Sequence, residues 1–145
     1  MIIQRIALVL LISATTVLGH MTFALSAQAE ETRSLSAVMT DIGRTFGRIA
    51  RPVQQGTAGA TEAVLSRDLH LLVLEAGTIL PDSILDLPES EQGPRIELYS
   101  TLISALAKTV TDLEAAILIA DHAAAQAALQ VALRLRSQGH EEFKL

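Results

Sequence analysis

Cysteine is absent from this 145-residue chain. Because the chain has no thiol, four features are excluded: disulfides, cysteine-ligated zinc, cysteine-ligated iron–sulfur clusters and lipid attachment to a cysteine. Aromatic residues make up only 3% of the sequence, which argues against a β-sandwich rich in alternating aromatic and β-branched residues. The chain also lacks a basic run and carries a formal net charge of −5, so nucleic acid is not expected as a partner.

Small and aliphatic residues dominate what is present. Half of the chain is hydrophobic, and most of these residues are Ala, Leu, Ile and Val. This composition favours packed helices, and the length is sufficient for one domain.

The N-terminal segment has the order of a secretory signal peptide. Arg5 precedes the apolar run 6–18, and Ala27-Gln28-Ala29 matches a small-x-small cleavage site. An uncleaved anchor is the alternative, but this run is shorter than the roughly 20 apolar residues of a bilayer span. We therefore predict a signal peptide over 1–29 and an exported domain over 30–145, located in the periplasm if the source is Gram-negative.

Apolar residues recurring at spacings of three and four predict four helices in the exported domain. The first spans about 35–51 and ends at Pro52, and the second runs from 57 or 60 to 80. The Pro-rich segment 81–94 is predicted to be a long loop, followed by a third helix from Arg95 to about 120. Asp121 is an N-cap candidate for the fourth helix, over 122–143. Short turns and one long central loop predict an all-α, antiparallel up-down-up-down four-helix bundle.

Met39 and His140 are the two residues in this pattern with cofactor chemistry. Met39 lies about one turn into the first helix, and His140 about one turn before the end of the fourth. In an up-down-up-down bundle both positions lie at the same end and on neighbouring helices. A thioether and an imidazole are a known axial pair for haem iron, so we predict a haem between these side chains.

Other residues around this pair suit the same cofactor. Arg136 and Lys144 lie four residues on either side of His140, and are predicted to meet the haem propionates. A porphyrin at this end would be buried against apolar side chains, predicted to include Ile42, Phe46 and Leu133. The absence of a C-x-x-C-H motif excludes covalent haem attachment.

These residues also resemble the motifs of the cytochrome b562 family. The first helix contains M-x-x-I-x-x-x-F-x-x-I, from Met39 to Ile49, and the fourth contains R-x-x-x-H-x-x-x-K, from Arg136 to Lys144. The Pro-rich segment 81–94 lies where that family has a Pro-rich loop, and the similarity spans 33–144. The resemblance implies one non-covalent haem b with Met39 and His140 as axial ligands, and electron transfer in the periplasm. The family packs aromatic residues on the haem where this chain offers Leu102 and Leu106.

The expected function is therefore electron transfer to an unknown redox protein, without catalysis. No phosphate-binding loop, nucleophile elbow or metalloprotease motif occurs in the sequence. Two alternatives remain open: a haem-free structural or ligand-binding bundle of the same fold, and a haem sensor or store.

Overall fold

The computed structural model describes residues 33–144, and this part of the chain is all-helical, without a β-strand. Four long helices are present: α1 (Leu35–Gln54), α2 (Ala60–Gly77), α4 (Glu89–Leu118) and α5 (His122–Phe143). A single short turn of helix, α3 (Asp82–Leu85), lies between α2 and α4. The architecture is compatible with a helical bundle. The predicted signal peptide lies outside the described residues.

Local capping explains where most of the helices begin. The Ser34 side chain accepts a hydrogen bond from Ala37 N at 3.2 Å, and Asp121 Oδ1 accepts one from Ala124 N at 2.9 Å. At the start of α2, the Glu62 carboxylate accepts a hydrogen bond from Gly59 N at 2.8 Å. In each bond a side-chain oxygen accepts from a backbone N–H group at a helix start, where the helix itself provides no partner.

The segment 81–94 differs from its predicted loop structure. It contains α3 and the first six residues of α4, which begins at Glu89 rather than Arg95. Pro81 and Pro88 precede these two helices, and Pro94 lies inside α4. Prolines restrict a helix interior but are compatible with its start, so they mark helix beginnings here rather than a continuous loop.

Two other predicted ends also shift. α1 continues through Pro52 to Gln54. Proline has no N–H group to donate to the preceding turn, but the residues after it can remain helical. α2 ends at Gly77 instead of residue 80. The predicted bounds of the last helix, 122–143, are confirmed.

The long helices bury one another in a defined order. α1 packs against α2 and α5, α2 packs against α4, and α4 packs against α5. The buried face of α1 is a regular stripe consisting of Val38, Ile42, Phe46, Ile49 and Val53. Leu35 and Met39 are half-buried beside this stripe and pack against it.

α2 exposes part of its apolar surface. Val64, Leu71 and Leu74 are 56%, 59% and 47% exposed, whereas Leu69 and Val73 are fully buried. A helix with apolar residues around most of its circumference has no single face that periodicity identifies as buried.

The described helices include none that combines the length and hydropathy needed to cross a membrane.

Candidate functional site

The register between α1 and α5 defines the level of Met39 relative to His140. Near the end of α1, the Gln126 amide donates hydrogen bonds to the carbonyl oxygens of Val53 and Gln54, at 3.4 and 3.1 Å. Two to three turns earlier in α1, a Cβ on Gly43 would lie 3.5 Å from Nη2 of Arg136. Both contacts pair residues whose numbers fall along one antiparallel register. Extended by one turn, this register brings Met39 level with His140.

A groove on α5 contains three of the predicted site residues. Its lining consists of Leu133, Arg136, Ser137, His140 and Glu141, and its volume is about 340 Å³. These positions are separated by three, four and seven residues and therefore share one helix face. His140, Arg136 and Leu133 are each half-buried. The groove thus combines an imidazole, a guanidinium and an apolar wall.

Met39 lies on the opposite helix, one turn before Gly43. Its side chain is half-buried and packs against the core. Gly43 provides no side chain where α1 faces Arg136 of α5, and a Cβ on Gly47, one turn later, would have no atom within 4 Å. We call the strip between α1 and α5 the seam. It is the least extensive of the four contacts between the long helices.

Four other predicted haem contacts lie in the packed interior. Ile42 and Phe46 are each 1% exposed, and Leu102 and Leu106 are 9% and 7% exposed. Leu102 belongs to a separate cluster with Ile84, Tyr99 and Phe143, while the other three contribute to the main core. None of the four lines the groove on α5. Their contact with a haem would therefore require repacking of these helices.

Lys144 does not continue the face on which His140 lies. It follows the last residue of α5 and has a φ of 52°, the left-handed conformation of a helix C-cap. Its backbone N–H donates to the carbonyl of His140 at 2.9 Å. Of the two predicted propionate partners, only Arg136 lines the groove with His140.

Sequence reasoning did not anticipate a cluster that covers part of this end of the domain. The rings of Tyr99 and Phe143 meet edge to face with centroids 5.1 Å apart, and the Arg95 guanidinium lies 4.7 Å from the Phe143 centroid. Ser83 Oγ, on α3, donates to the Phe143 carbonyl at 2.8 Å. α3 therefore holds the end of α5 against α4.

The Tyr99 hydroxyl has a structural role in this cluster. It donates to the carbonyl of Ala76, on α2, at 2.8 Å. Burial raises the pKa of Tyr99 to about 12, because the phenolate would lose hydration there. The neutral phenol is thus the form that the folded domain favours.

The other described histidines have separate environments. Nδ1 of His70 lies 3.2 Å from both the carbonyl oxygen of Ala107 and Thr111 Oγ1, so His70 bridges α2 and α4. His122 is exposed at the start of α5. Among residues 33–144, no three His, Asp or Glu side chains converge on a possible metal site. A thioether–imidazole pair is a different donor set and suits an iron already held by a porphyrin.

Comparison with family models, with curated proteins and with solved structures finds no match to this chain.

Proposed function

We propose that this chain is an exported electron-transfer protein that binds one non-covalent b-type haem, with Met39 and His140 as axial ligands. The observation that carries the proposal is the α1–α5 register, in which these two donors are level on opposite sides of the seam. The order of charge, apolar run and A-x-A at the N-terminus supports export and a periplasmic location.

An up-down-up-down topology is part of this proposal. Four contacts support it, each joining the first part of one helix to the end of another. Arg33, just before α1, pairs with Glu75 near the end of α2 at 3.0 Å, and Tyr99, the eleventh of the 30 residues of α4, donates to Ala76 near the end of α2. Arg95 near the start of α4 pairs with Glu142 at 2.9 Å, and Gln126 near the start of α5 meets the end of α1.

Each groove residue has a defined part in the proposed site. The His140 imidazole and the Met39 thioether would bind the two faces of the iron, and the Arg136 guanidinium would pair with a propionate. Leu133 would cover part of the porphyrin. Bound in this way, haem supplies a one-electron couple, and two occupied axial positions leave no open site for a substrate. Electron transfer is therefore favoured over catalysis.

The groove is small for such a ligand. Its volume of about 340 Å³ is near the lower end of the roughly 300–1,000 Å³ of ligand pockets. Haem binding would therefore separate α1 from α5 at the level of Met39. The limited contact along the seam and the absence of a side chain on Gly43 favour this separation over one between α2 and α4.

A second candidate is a haem-free exported bundle. The packed interior favours it: Ile42, Phe46, Leu102 and Leu106 are already buried, and no buried side-chain nitrogen or oxygen in residues 33–144 lacks a hydrogen-bond partner. No polar group in that part of the chain therefore requires a cofactor for its satisfaction.

Visible spectroscopy distinguishes the two candidates. The full chain would be expressed with haem supply, purified, and measured before and after dithionite. We expect sharp α and β bands on reduction, and haem that is extracted by acid-acetone. A colourless helical protein that ignores added haemin would reject the haem proposal and support the second candidate.

Ligand variants test the assignment itself. Met39→Ala should retain haem through His140 but lose the six-coordinate spectrum and have a lower reduction potential, because the thioether raises it. His140→Ala should lose most haem affinity. Leu35→Ala, one turn from Met39, and His122→Ala, also on α5, are matched controls that should keep the wild-type spectrum. Unchanged spectra in both ligand variants would show that other residues bind the iron.

A further inference from the structure

Charge is unevenly distributed among the described helices. α1 and α5 together contain five basic residues (Arg44, Arg48, Arg51, Arg134 and Arg136) and three acidic ones. The segment 60–118, which includes α2, α3 and α4, contains three basic residues and ten acidic ones. A chain of net negative charge therefore has one pair of helices with a positive balance.

Ion pairing accentuates this difference. All three cations of the segment 60–118 pair with carboxylates: Arg67 with Glu114 at 2.6 Å, Arg95 with Glu142 at 2.9 Å and Lys108 with Asp112 at 2.6 Å. On α1 and α5 only Arg44 does so, with Asp41 at 2.7 Å. The guanidinium groups of Arg48, Arg51, Arg134 and Arg136 have no carboxylate within ion-pair distance among residues 33–144.

Exposed arginines lie at similar levels on α1 and α5. Arg44, Arg48 and Arg51 are spaced by four and three residues, so they form one exposed stripe on α1, opposite its buried face. In the antiparallel register that pairs Gly43 with Arg136, the exposed Arg134 of α5 is level with Arg44. The exposed arginines of these two neighbouring helices are therefore at similar levels, whereas Arg136 lines the groove on α5.

We propose that this basic surface, formed by Arg44, Arg48, Arg51 and Arg134, docks an acidic surface of a partner protein. Guanidinium groups bind carboxylates in bidentate pairs, and those of Arg48, Arg51 and Arg134 are available to do so without breaking an internal ion pair. The acidic segment 60–118 would repel the same partner and so orient its approach to the basic surface. The proposal depends on charge placement alone and is independent of haem binding.

The apolar residues at the surface favour a protein partner over a membrane. Helices that lie on a membrane bury large apolar side chains between their basic residues. Among residues 33–144, α1 exposes no large hydrophobic side chain and α5 exposes only Val131, at 37%. The remaining exposed large hydrophobics lie on α2, α3 and the end of α4. The basic surface therefore lacks the apolar anchors that a lipid surface requires.

Fluorescence anisotropy with labelled poly-L-glutamate tests the proposal. The protein purified from expression of the full chain should bind this probe at low salt and release it as salt is added, because exposed charge pairs are screened. The double variant Arg48→Gln/Arg134→Gln removes two cations of the basic surface. We expect each substitution to weaken binding by about two- to fivefold, the range for exposed ion pairs.

The matched control removes the same charge from the other side of the domain. Arg67→Gln/Lys108→Gln neutralises two exposed cations of the acidic segment and should leave the affinity nearly unchanged. Equal weakening in both double variants, no weakening in either, or no binding by the wild type would each overturn the proposal. Tighter, Arg48-dependent binding to vesicles containing phosphatidylglycerol would overturn it in favour of a membrane surface. Circular dichroism would verify that all variants remain folded.

Discussion

The α2–α4 contact and the α1–α5 seam are built differently. Across the first, Tyr99 donates to Ala76, His70 reaches the carbonyl of Ala107, and Arg67 pairs with Glu114. Across the seam, the Gln126 amide contacts the last carbonyls of α1, and Gly43 presents no side chain to Arg136. The first contact combines packing with specific polar bonds over its length, whereas the second leaves grooves.

This difference separates stability from ligand access. A region with few buried contacts opens at lower free energy than a well-packed core, and binding sites are commonly found in such regions. The candidate ligands lie along the seam, and the exposed arginines lie on the two helices that form it. We therefore expect substitutions at the α2–α4 contact to affect mainly the free energy of unfolding, and those at the seam to affect mainly binding.

Leucine truncation should give the largest difference between the two regions. Leu113, on α4, is fully buried, so Leu113→Ala should lower the free energy of unfolding by about 2–5 kcal/mol. Leu133→Ala, at the half-buried edge of the seam, should cost about 1–2 kcal/mol, because less apolar area is lost. Urea unfolding followed by circular dichroism measures both. Equal losses would mean that the seam is packed as tightly as the core.

Replacing a glycine by alanine should change the free energy of unfolding in opposite directions in α2 and α1. A Cβ on Gly77, at the end of α2, would lie 2.9 Å from Cγ2 of Ile103 on α4, and a β-branched side chain adjusts poorly. Gly77→Ala should therefore destabilise by about 1–3 kcal/mol through overpacking. Gly47→Ala meets no neighbouring atom, so it should stabilise α1 by about 0.5–1 kcal/mol. The same unfolding assay decides the signs, and a stabilising Gly77→Ala would contradict the close α2–α4 approach.

Alkaline pH should weaken the α2–α4 contact through Tyr99. Its folded pKa of about 12 exceeds the ordinary value of 10.0. The stabilisation is therefore complete below pH 10 and decreases as pH rises toward 12, since the unfolded state loses the phenolic proton first. The loss should reach about 1 kcal/mol at pH 11.

Tyr99→Phe is the control for this titration. It lacks the ionisable proton, so its stability should vary less between pH 9 and pH 12 than that of the wild type, although it lacks the bond to Ala76. Parallel pH profiles of the two proteins would show that Tyr99 is not responsible.

Helix α5 and the segment 81–94 differ in how well the local sequence predicted their structure. The bounds of α5 follow from the Asp121 cap and a regular apolar repeat, both of which are local signals. The segment 81–94 was predicted incorrectly because its prolines have two meanings: they break a helix interior but also begin helices. Local sequence does not distinguish these two roles of proline, because α3 is held in place by a contact between Ser83 and Phe143, 60 residues away.

The candidate site was predictable only in part. Residue type and spacing identified Met39, His140 and Arg136, because few other side chains combine donor chemistry with a position near matching helix ends. The burial of Ile42, Phe46, Leu102 and Leu106 was consistent with the apolar pattern, but the pattern contained no information on which cluster each residue joins. The shift of Lys144 away from the His140 face depends on one backbone angle at the helix end.

The sequence by itself determined that four long helices form within residues 33–144, since periodicity and capping act within a few turns of chain. Only the tertiary structure decided which faces of α2 are exposed, that α3 covers one end, and that α1 and α5 meet along a limited contact with exposed arginines on both helices. Those features depend on contacts between residues far apart in the chain. The volume, register and charge of two facing helices are matched there, and a local sequence pattern contains no information on that match.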